Sequence, residues 1–293
     1  MNLFAGTGVA LVTPFDKDFG IDEASLRKLI EYVIAGDADY LVALGTTSEA
    51  ATLSEAERYQ VMEVILEQNQ GRLPVMVGIG GNNTREVAEN IKRFPYLKSC
   101  KAILSVTPYY NKPSQEGMFR HFKALSEESP LPFFLYNVPG RTGVNLSAET
   151  VVRLSHECPN ISGIKEAGGN FQQVSEILKS MRSDFMVVSG DDGLTLPLIS
   201  IGVKGVISVL ANAFPAEFSK MVRLASAGKY TEAARIHLKC TGLYKALFAE
   251  GNPAGVKAAL HLKGMIANNL LRLPLAPVSE RLYSELKELC HSM

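Results

Sequence analysis

The residue of greatest chemical interest is Lys165, which ends the apolar run Ile161–Lys165. The run is typical of a short buried strand, and an ammonium group is rarely buried unless it is paired or functional. Desolvation favours the neutral amine, which is the nucleophile of Schiff-base chemistry on carbonyl substrates. The competing interpretation is a strand-end lysine whose ammonium group reaches water along its apolar stem.

Further reactive or binding side chains follow other apolar runs. The turn Gly45–Glu49 offers two threonine hydroxyls and backbone N–H groups, a combination that suits a carboxylate. Tyr136 ends another run, where a phenol can transfer a proton, and the donor fork of Arg141 in the next turn fits a carboxylate. Tyr109 and Tyr110 lie in a proline-flanked loop, so at least one is expected at a partner surface or at the site. Taken singly, these residues also fit a polar turn or a solvated arginine.

Metal chemistry is weakly supported by the sequence. Gly190-Asp191-Asp192 ends a further run, but two adjacent aspartates without other oxygen ligands favour a helix N-cap over a metal site. The five histidines and four cysteines are dispersed, without His-x-x-x-His or Cys-x-x-Cys spacing. We therefore expect neither a metal nor an organic cofactor.

Eight apolar runs alternate with helical patterns and must position these residues. The runs are rich in Val, Ile, Leu and Phe, as in parallel strands covered on both faces. The predicted strands are Gly8–Val12, Tyr40–Leu44, Pro74–Ile79, Ala102–Val106, Pro132–Tyr136, Ile161–Lys165, Phe185–Ser189 and Gly205–Val209. Helix starts are predicted at Asp22, Ser54, Thr84, Ser147 and Pro215.

This alternation predicts an α/β fold, a (β/α)8 TIM barrel over residues 1–226 with a C-terminal helical extension over 227–293. The extension shows helical patterns at Tyr230–Glu250, Pro253–Ala267 and Ser279–Leu289, and we expect it to pack on the barrel. An open doubly wound sheet would need a Gly-rich turn after its first strand, where Val12–Phe15 stands instead. In a barrel, the residues at the strand ends meet at one mouth.

Composition excludes several other classes of protein. The 293 residues carry 30 basic and 30 acidic side chains, so charge gives no basis for binding nucleic acid or membranes. No apolar run is long enough to span a bilayer, and Met1–Gly6 lacks the features of a signal peptide. Scattered cysteines are typical of a reducing compartment, so a cytoplasmic protein is expected.

The chain resembles the dihydrodipicolinate synthase family almost from end to end. The motifs that carry the resemblance are Gly45-Thr46-Thr47-x-Glu49, Thr107-Pro108-Tyr109-Tyr110-Asn111, Tyr136-Asn137-Val138-Pro139-x-Arg141-Thr142, Gly163-Ile164-Lys165-Glu166 and Gly190-Asp191-Asp192. The resemblance implies a lyase that condenses pyruvate with L-aspartate 4-semialdehyde in diaminopimelate and lysine synthesis. It also implies a homotetramer, a dimer of dimers, that needs no cofactor beyond a covalent imine with pyruvate.

The resemblance implies catalytic roles for four residues. Lys165 forms the imine with pyruvate and acts as the electron sink for enamine formation. Tyr136, Thr46 and Tyr110 form a proton relay, in which Tyr110 comes from a neighbouring subunit.

Four further residues are implied to bind substrate. Thr47 holds the pyruvate carboxylate, and Arg141 holds the carboxylate of the semialdehyde. Gly190 and Ile207 shape the pyruvate end of the site through their backbones. Ser48 departs from the glycine that is usual in the family at this position, but both threonines of the turn are kept.

Feedback inhibition by lysine is a further property of some family members. The matching positions of the possible allosteric lysine site are Ala50, Ala51, Glu55, Arg58, Asn82, Glu86 and Tyr109. Sensitive bacterial forms often carry serine at position 50 and histidines at positions 55 and 58. We therefore expect weak or absent inhibition by L-lysine.

Two other kinds of function are weighed against this interpretation. N-acetylneuraminate lyase and the keto-deoxy sugar acid aldolases share the barrel, the tyrosine and the lysine. Arg141 and the sequence Gly190-Asp191-Asp192 favour the synthase over them. A barrel that had lost catalysis should lack at least one of Lys165, Tyr136, Thr46 or Arg141, and all four are present.

Overall fold

A computed structural model describes residues 3–293. Met1 and Asn2 lie outside the described residues. The predicted barrel region and the segment considered as a signal peptide both begin with these two residues. Eight strands follow one another in chain order in a closed barrel, which confirms the predicted (β/α)8 fold. The strands are β1 (Gly6–Ala10), β2 (Tyr40–Ala43), β3 (Val75–Gly78), β4 (Ala102–Val106), β5 (Phe133–Asn137), β6 (Ile161–Glu166), β7 (Met186–Ser189) and β8 (Gly205–Ser208).

Helices follow the strands and continue beyond the last of them. They are α1 (Glu23–Ala35), α2 (Glu55–Asn69), α3 (Thr84–Arg93), α4 (Gln115–Glu128), α5 (Pro139–Thr142), α6 (Ala148–Glu157), α7 (Phe171–Ser180), α8 (Thr195–Ser200), α9 (Pro215–Ser226), α10 (Tyr230–Lys239), α11 (Thr241–Ala246), α12 (Ala254–Leu262) and α13 (Glu280–His291). Short 3-10 turns occur at Thr46–Ser48, Ala50–Thr52, Leu97–Ser99 and Leu210–Asn212. No helix within residues 3–293 has the length and apolarity needed to cross a membrane.

The strand boundaries agree closely with the sequence. The predicted and observed bounds of β4 are identical, and the largest difference is at β1, which lies earlier than the predicted run Gly8–Val12. The strand ends before the apolar run does. Beyond the strand, the backbone N–H of Val12 donates to the side chain of Asn212, at 3.2 Å, instead of to a neighbouring strand. Side-chain partners of this kind are invisible to an apolar pattern.

Most predicted helix starts are also correct. Asp22, Ser54 and Ser147 cap their helices with side chains that accept backbone N–H groups, as N-cap residues do. α3 begins at Thr84, as predicted, and its N-cap is the preceding Asn83, whose side chain accepts the N–H group of Glu86. Both residue types can cap a helix, so the sequence alone does not decide between neighbours.

Two of the three predicted C-terminal helices are shorter than predicted, whereas the third, predicted at Ser279–Leu289, is observed as α13. The pattern Tyr230–Glu250 is divided at Cys240 into α10 and α11. The pattern Pro253–Ala267 gives a helix that ends at Leu262, because Gly264 takes a left-handed conformation with φ +66° and stops it.

Contacts divide the chain into two compact units. One unit consists of the residues up to Pro74 together with Ser208–Met293, and the other of Val75–Ile207. Phe15, Tyr40 and Phe214 are fully buried in the first unit, and Phe122, Phe133 and Phe134 in the second. The predicted division of the chain at residue 226 stays a prediction.

An ion pair joins α2 to the segment before α13. The guanidinium of Arg272 donates to both carboxylate oxygens of Glu57 and lies 4.5 Å from the ring centroid of Phe15. Glu57 also accepts the backbone N–H of Ser54, which completes a capping box at the start of α2. The hydrogen bonds from Arg272 lower the pKa of the Glu57 carboxyl to about 2.

This pair predicts a specific loss of stability in acid. The Glu57 pKa is lower in the folded protein than the value of about 4.3 expected when unfolded. Its stabilisation is therefore complete above pH ~4.3 and is lost as the pH falls through about 2. Glu57→Gln should lower the free energy of unfolding by about 2 kcal/mol at neutral pH. It should also make that free energy less dependent on pH between ~4.3 and ~2, as measured by denaturant titration at each pH. Glu67→Gln, which breaks an exposed pair with Arg27, is the control. Equal acid slopes for Glu57→Gln and the wild type would contradict the prediction.

Candidate active site

Tyr136 and Lys165 lie side by side at the carboxyl ends of β5 and β6. The register of the two strands pairs them directly, and their side chains are 7% and 6% exposed. The Nζ atom of Lys165 lies 4.4 Å from the centroid of the Tyr136 ring. The lysine is therefore withdrawn from water rather than extended into it, and a phenol stands beside its amine.

Gly190 follows β7 and lies against the same lysine. A Cβ atom at this position would lie 3.0 Å from Cε of Lys165 and 2.5 Å from Cβ of Ala167. The N–H of Gly190 donates to the carbonyl of Glu166 at 2.7 Å. Any larger residue at this position would displace the lysine side chain or the strand beside it.

Asp191 stabilises a turn in place of a helix N-cap. Its Oδ1 atom accepts the N–H groups of Gly193 and Leu194, whereas Leu194 takes the cap position of α8 without a side-chain bond. No group of three or more His, Cys, Asp or Glu residues in the described part of the chain is arranged to hold a metal ion.

Arg141 lies on α5, a helix of four residues, and is exposed. Gly143 ends this helix in a left-handed conformation with φ +75°. The hydroxyl of Thr142 bonds to the carbonyls of Val138 and Val144, which holds the turn together. A cationic fork is thus presented to solvent a few residues after Tyr136.

The two tyrosines after β4 are turned outward. Tyr110 is 88% exposed and takes a left-handed conformation, φ +74°, that is uncommon for a residue other than glycine. Tyr109 is 43% exposed, and its carbonyl accepts a hydrogen bond from the side chain of Asn82 at 3.1 Å. Ile207 lies in β8 and is 1% exposed.

The threonine turn after β2 belongs to the first unit. Thr46 is exposed, whereas Thr47 is 3% exposed and its Oγ1 accepts the side-chain amide of Asn252 at 2.9 Å. Glu49 closes the turn in a left-handed conformation. The hydroxyl of Ser48 donates to the carbonyl of Gly45 at 2.7 Å, so this serine bonds within its own turn.

A second buried lysine was missed by the sequence analysis. Lys257 is 0% exposed, forms an ion pair with Glu49 and donates to the carbonyl of Leu270 at 2.9 Å. Burial lowers its pKa to about 8, against the opposing effect of Glu49. The signal for this pair was a lysine among the apolar residues that form the first seven positions of α12.

Two of the predicted allosteric positions in the first unit have local partners. Nε of Arg58 donates to the carbonyl of Ala50 at 3.2 Å, and Glu55 accepts the hydroxyl of Tyr59 at 2.6 Å. Ala51 and, in the second unit, Glu86 are exposed.

Comparison with known proteins identifies the family. The model of the dihydrodipicolinate synthetase family matches residues 3–293, and the chain belongs to that family. The 4-hydroxy-tetrahydrodipicolinate synthase of Parabacteroides distasonis is 49% identical over 288 residues, which are 98% of this chain and 96% of the relative.

Solved structures give the same result. The crystal structure of dihydrodipicolinate synthase from Thermotoga maritima has a TM-score of 0.95 and 40% identity, and the match covers 100% of both chains. A structure of the enzyme from Cyanidioschyzon merolae with lysine bound has a TM-score of 0.94 and 38% identity, and the match covers 100% of this chain and 99% of that one.

Proposed function

We propose that the protein condenses pyruvate with L-aspartate 4-semialdehyde to give 4-hydroxy-tetrahydrodipicolinate, a step of diaminopimelate and lysine synthesis in the cytoplasm. The observation that carries the proposal is the buried amine of Lys165 beside the phenol of Tyr136, 4.4 Å from the ring centroid, in a chain of this family. The relatives named 4-hydroxy-tetrahydrodipicolinate synthase support the choice of substrates.

The chemistry needs only an amine and proton donors and acceptors. Nζ of Lys165 attacks C2 of pyruvate and water leaves, which gives an iminium ion. Loss of a proton from C3 gives an enamine, and its C3 attacks the aldehyde carbon of the semialdehyde, whose oxygen takes up a proton. The amino group of the bound semialdehyde then attacks C2, closes the ring and releases the lysine. The covalent imine replaces any separate cofactor.

Protons are moved by hydroxyl groups in this scheme. Tyr136 stands next to the amine and is the group best situated to exchange protons with the imine. Thr46 and Tyr110 extend the relay, and Tyr110 does so from a neighbouring subunit. The outward position of Tyr110 supports that origin.

The remaining residues recognise the two substrates. Thr47 and the N–H groups of its turn hold the pyruvate carboxylate. Arg141 holds the carboxylate of the semialdehyde. Gly190, where a Cβ would press on Lys165, keeps space for the imine, and Ile207 contributes its backbone.

The assignment is tested by comparing substrates in a coupled assay. The purified protein should consume pyruvate in the presence of aspartate semialdehyde, and it should not cleave N-acetylneuraminate or keto-deoxy sugar acids at a comparable rate. Cleavage of either acid as the main activity would instead indicate a sister aldolase, and inactivity on all of them a barrel without catalysis.

The shared relay predicts that activity depends on assembly. We propose a homotetramer, a dimer of dimers, in which each site receives Tyr110 from a partner. Dilution to monomers should then abolish activity, as measured by sedimentation with parallel assays. Tyr110→Phe should be impaired at every concentration, because the ring remains and the transferable proton does not. A fully active monomer would refute the shared relay.

Inhibition by lysine is predicted to be weak or absent. Ala50 lacks the hydroxyl of sensitive forms, and one lost hydrogen bond costs about 1 kcal/mol. Arg58 is engaged with the Ala50 carbonyl and adds a positive charge that repels the ammonium of lysine. Two or three such changes weaken binding by roughly one to three powers of ten. Asn82, Glu86 and Tyr109 keep the family pattern.

Titration of L-lysine at subsaturating pyruvate measures this effect. The double variant Glu55→His/Arg58→His should be inhibited at lower lysine concentrations than the wild type. Strong inhibition of the wild type by sub-millimolar lysine, as binding to the Cyanidioschyzon merolae relative would allow, would show that these substitutions are tolerated.

A further inference from the structure

Two buried polar residues directly follow the candidate catalytic pair. Asn137 comes after Tyr136, Glu166 comes after Lys165, and the register of β5 and β6 pairs Asn137 with Glu166. Since successive side chains point to opposite faces of a strand, Asn137 and Glu166 lie on the face away from Tyr136 and Lys165. They are 0% and 3% exposed. A carboxylate has therefore been buried directly behind the reacting amine.

The Glu166 carboxylate is held by neutral donors. Asn137 donates to it from Nδ2 at 3.0 and 3.2 Å, Gln173 from Nε2 at 3.1 Å and Gly168 from its backbone N–H at 2.7 Å. Burial raises the pKa of the carboxyl, and these three donors oppose that effect. Both oxygens of a carboxylate accept hydrogen bonds, so a carboxylate can satisfy donors on every side. An amide has an NH2 group in place of one oxygen and would face some of these donors with another donor.

The same side chains hold the segment that carries Arg141. Oδ1 of Asn137 accepts the N–H of Leu146 at 3.0 Å, and Gln173 donates to the Leu146 carbonyl at 3.3 Å. Asn145 accepts from Asn137 at 2.8 Å and donates to Gln173 at 2.7 Å. Asn137, Asn145, Glu166 and Gln173 thus form one polar cluster. The chain leaves this cluster after Asn137 and returns to it at Asn145, with the short helix α5 between these two points.

A helix of four residues does not hold its own position, because one turn is unstable without packing. We propose that Glu166 is a positioning residue that fixes both ends of the Arg141 segment and so sets the selectivity for an acidic aldehyde. The inference rests on the proposed function, in which Arg141 binds the carboxylate of the semialdehyde. Pyruvate, bound at Lys165 on the other face of the strand, is not touched by the cluster.

The variant Glu166→Gln tests the role at nearly constant size. Its amide would direct an N–H group at one of three donors and loosen the segment. We expect KM for aspartate semialdehyde to rise about 10- to 100-fold, while KM for pyruvate and trapping of pyruvate by borohydride stay near the wild-type values. The swap Asn137→Asp/Glu166→Gln restores one donor facing one acceptor and should recover part of the loss.

A cycle with Arg141→Ala separates positioning from general damage. If Glu166 acts through Arg141, Glu166→Gln should cost little in a chain that already lacks the arginine, because coupled residues are not additive. Full additivity, or an equal rise of KM for both substrates, would overturn the inference. Failure of the proposed function would look different, since the wild type itself would then not use the semialdehyde.

Two further variants keep the test decisive if Glu166→Gln does not fold. Gln173→Ala removes one donor and the link to Asn145 from outside the two strands, and it should shift KM in the same direction; no shift would overturn the inference. The matched control is Asn160→Asp at the opposite end of β6. Asn160 donates to the carbonyls of Ser126, Ser129 and Leu131. This control should lower thermal stability without changing the ratio of the two KM values.

Discussion

Replacing Lys165 with alanine will lower turnover by about four powers of ten or more, the scale of losing a covalent nucleophile. Lys165→Arg should be equally inactive, although it keeps the positive charge, because a guanidinium does not form the imine. Pyruvate followed by borohydride should add one reduced pyruvyl group to the wild-type chain, at Lys165, and none to either variant. Peptide mass spectrometry locates the label.

Lys257 provides the internal control for this experiment. It is also buried, and burial lowers its pKa below the ordinary value for a lysine. Its nitrogen is committed to Glu49 and to the carbonyl of Leu270, so it has no free approach to a ketone. Labelling of Lys257, or of any lysine other than Lys165, would contradict the Schiff-base assignment. The comparison therefore separates burial from function in two lysines of one chain.

Local sequence determines much of this fold, and contacts between distant segments determine the remainder. The caps at Asp22, Ser54 and Ser147 were predictable because each side chain bonds within its own first turn. The early end of β1 was not, because Val12 bonds to a side chain 200 positions away. The break between α10 and α11 was equally hidden. Gly242 lies against α13, where a Cβ would meet Leu289 at 2.6 Å, and only tertiary packing reveals that approach.

The candidate site shows the same division. Tyr136 and Lys165 were expected to be neighbours because consecutive strands of a barrel are adjacent and both residues end their strands. The polar cluster of Asn137, Asn145, Glu166 and Gln173 was not expected, although Asn137 and Glu166 belong to motifs of the family. Its pairing depends on the register of β5 and β6, which includes a shift between Phe133 and Phe134. A sequence pattern does not contain that shift.

Removing the Arg141 side chain will impair the use of aspartate semialdehyde and leave the reaction with pyruvate intact. Arg141→Ala should still be trapped by pyruvate and borohydride, because Lys165 and Tyr136 are left as they are. Its kcat/KM for aspartate semialdehyde should fall by about a hundredfold or more, the cost of losing a charge-assisted contact to a carboxylate. Arg141→Lys keeps the charge without the bidentate fork and should be intermediate.

A substrate analogue makes this last comparison sharper. A simple aldehyde without a carboxylate has nothing for the arginine to bind, so Arg141→Ala and the wild type should use it with similar, low efficiency. The ratio of kcat/KM for aspartate semialdehyde to kcat/KM for the simple aldehyde then measures recognition of the carboxylate alone, independent of any change in folding or imine formation. Loss of pyruvate trapping in Arg141→Ala would give the arginine a role in the first half of the reaction. An unchanged ratio would mean that another cation recognises the semialdehyde, and the Arg141 segment would then have no part in selectivity.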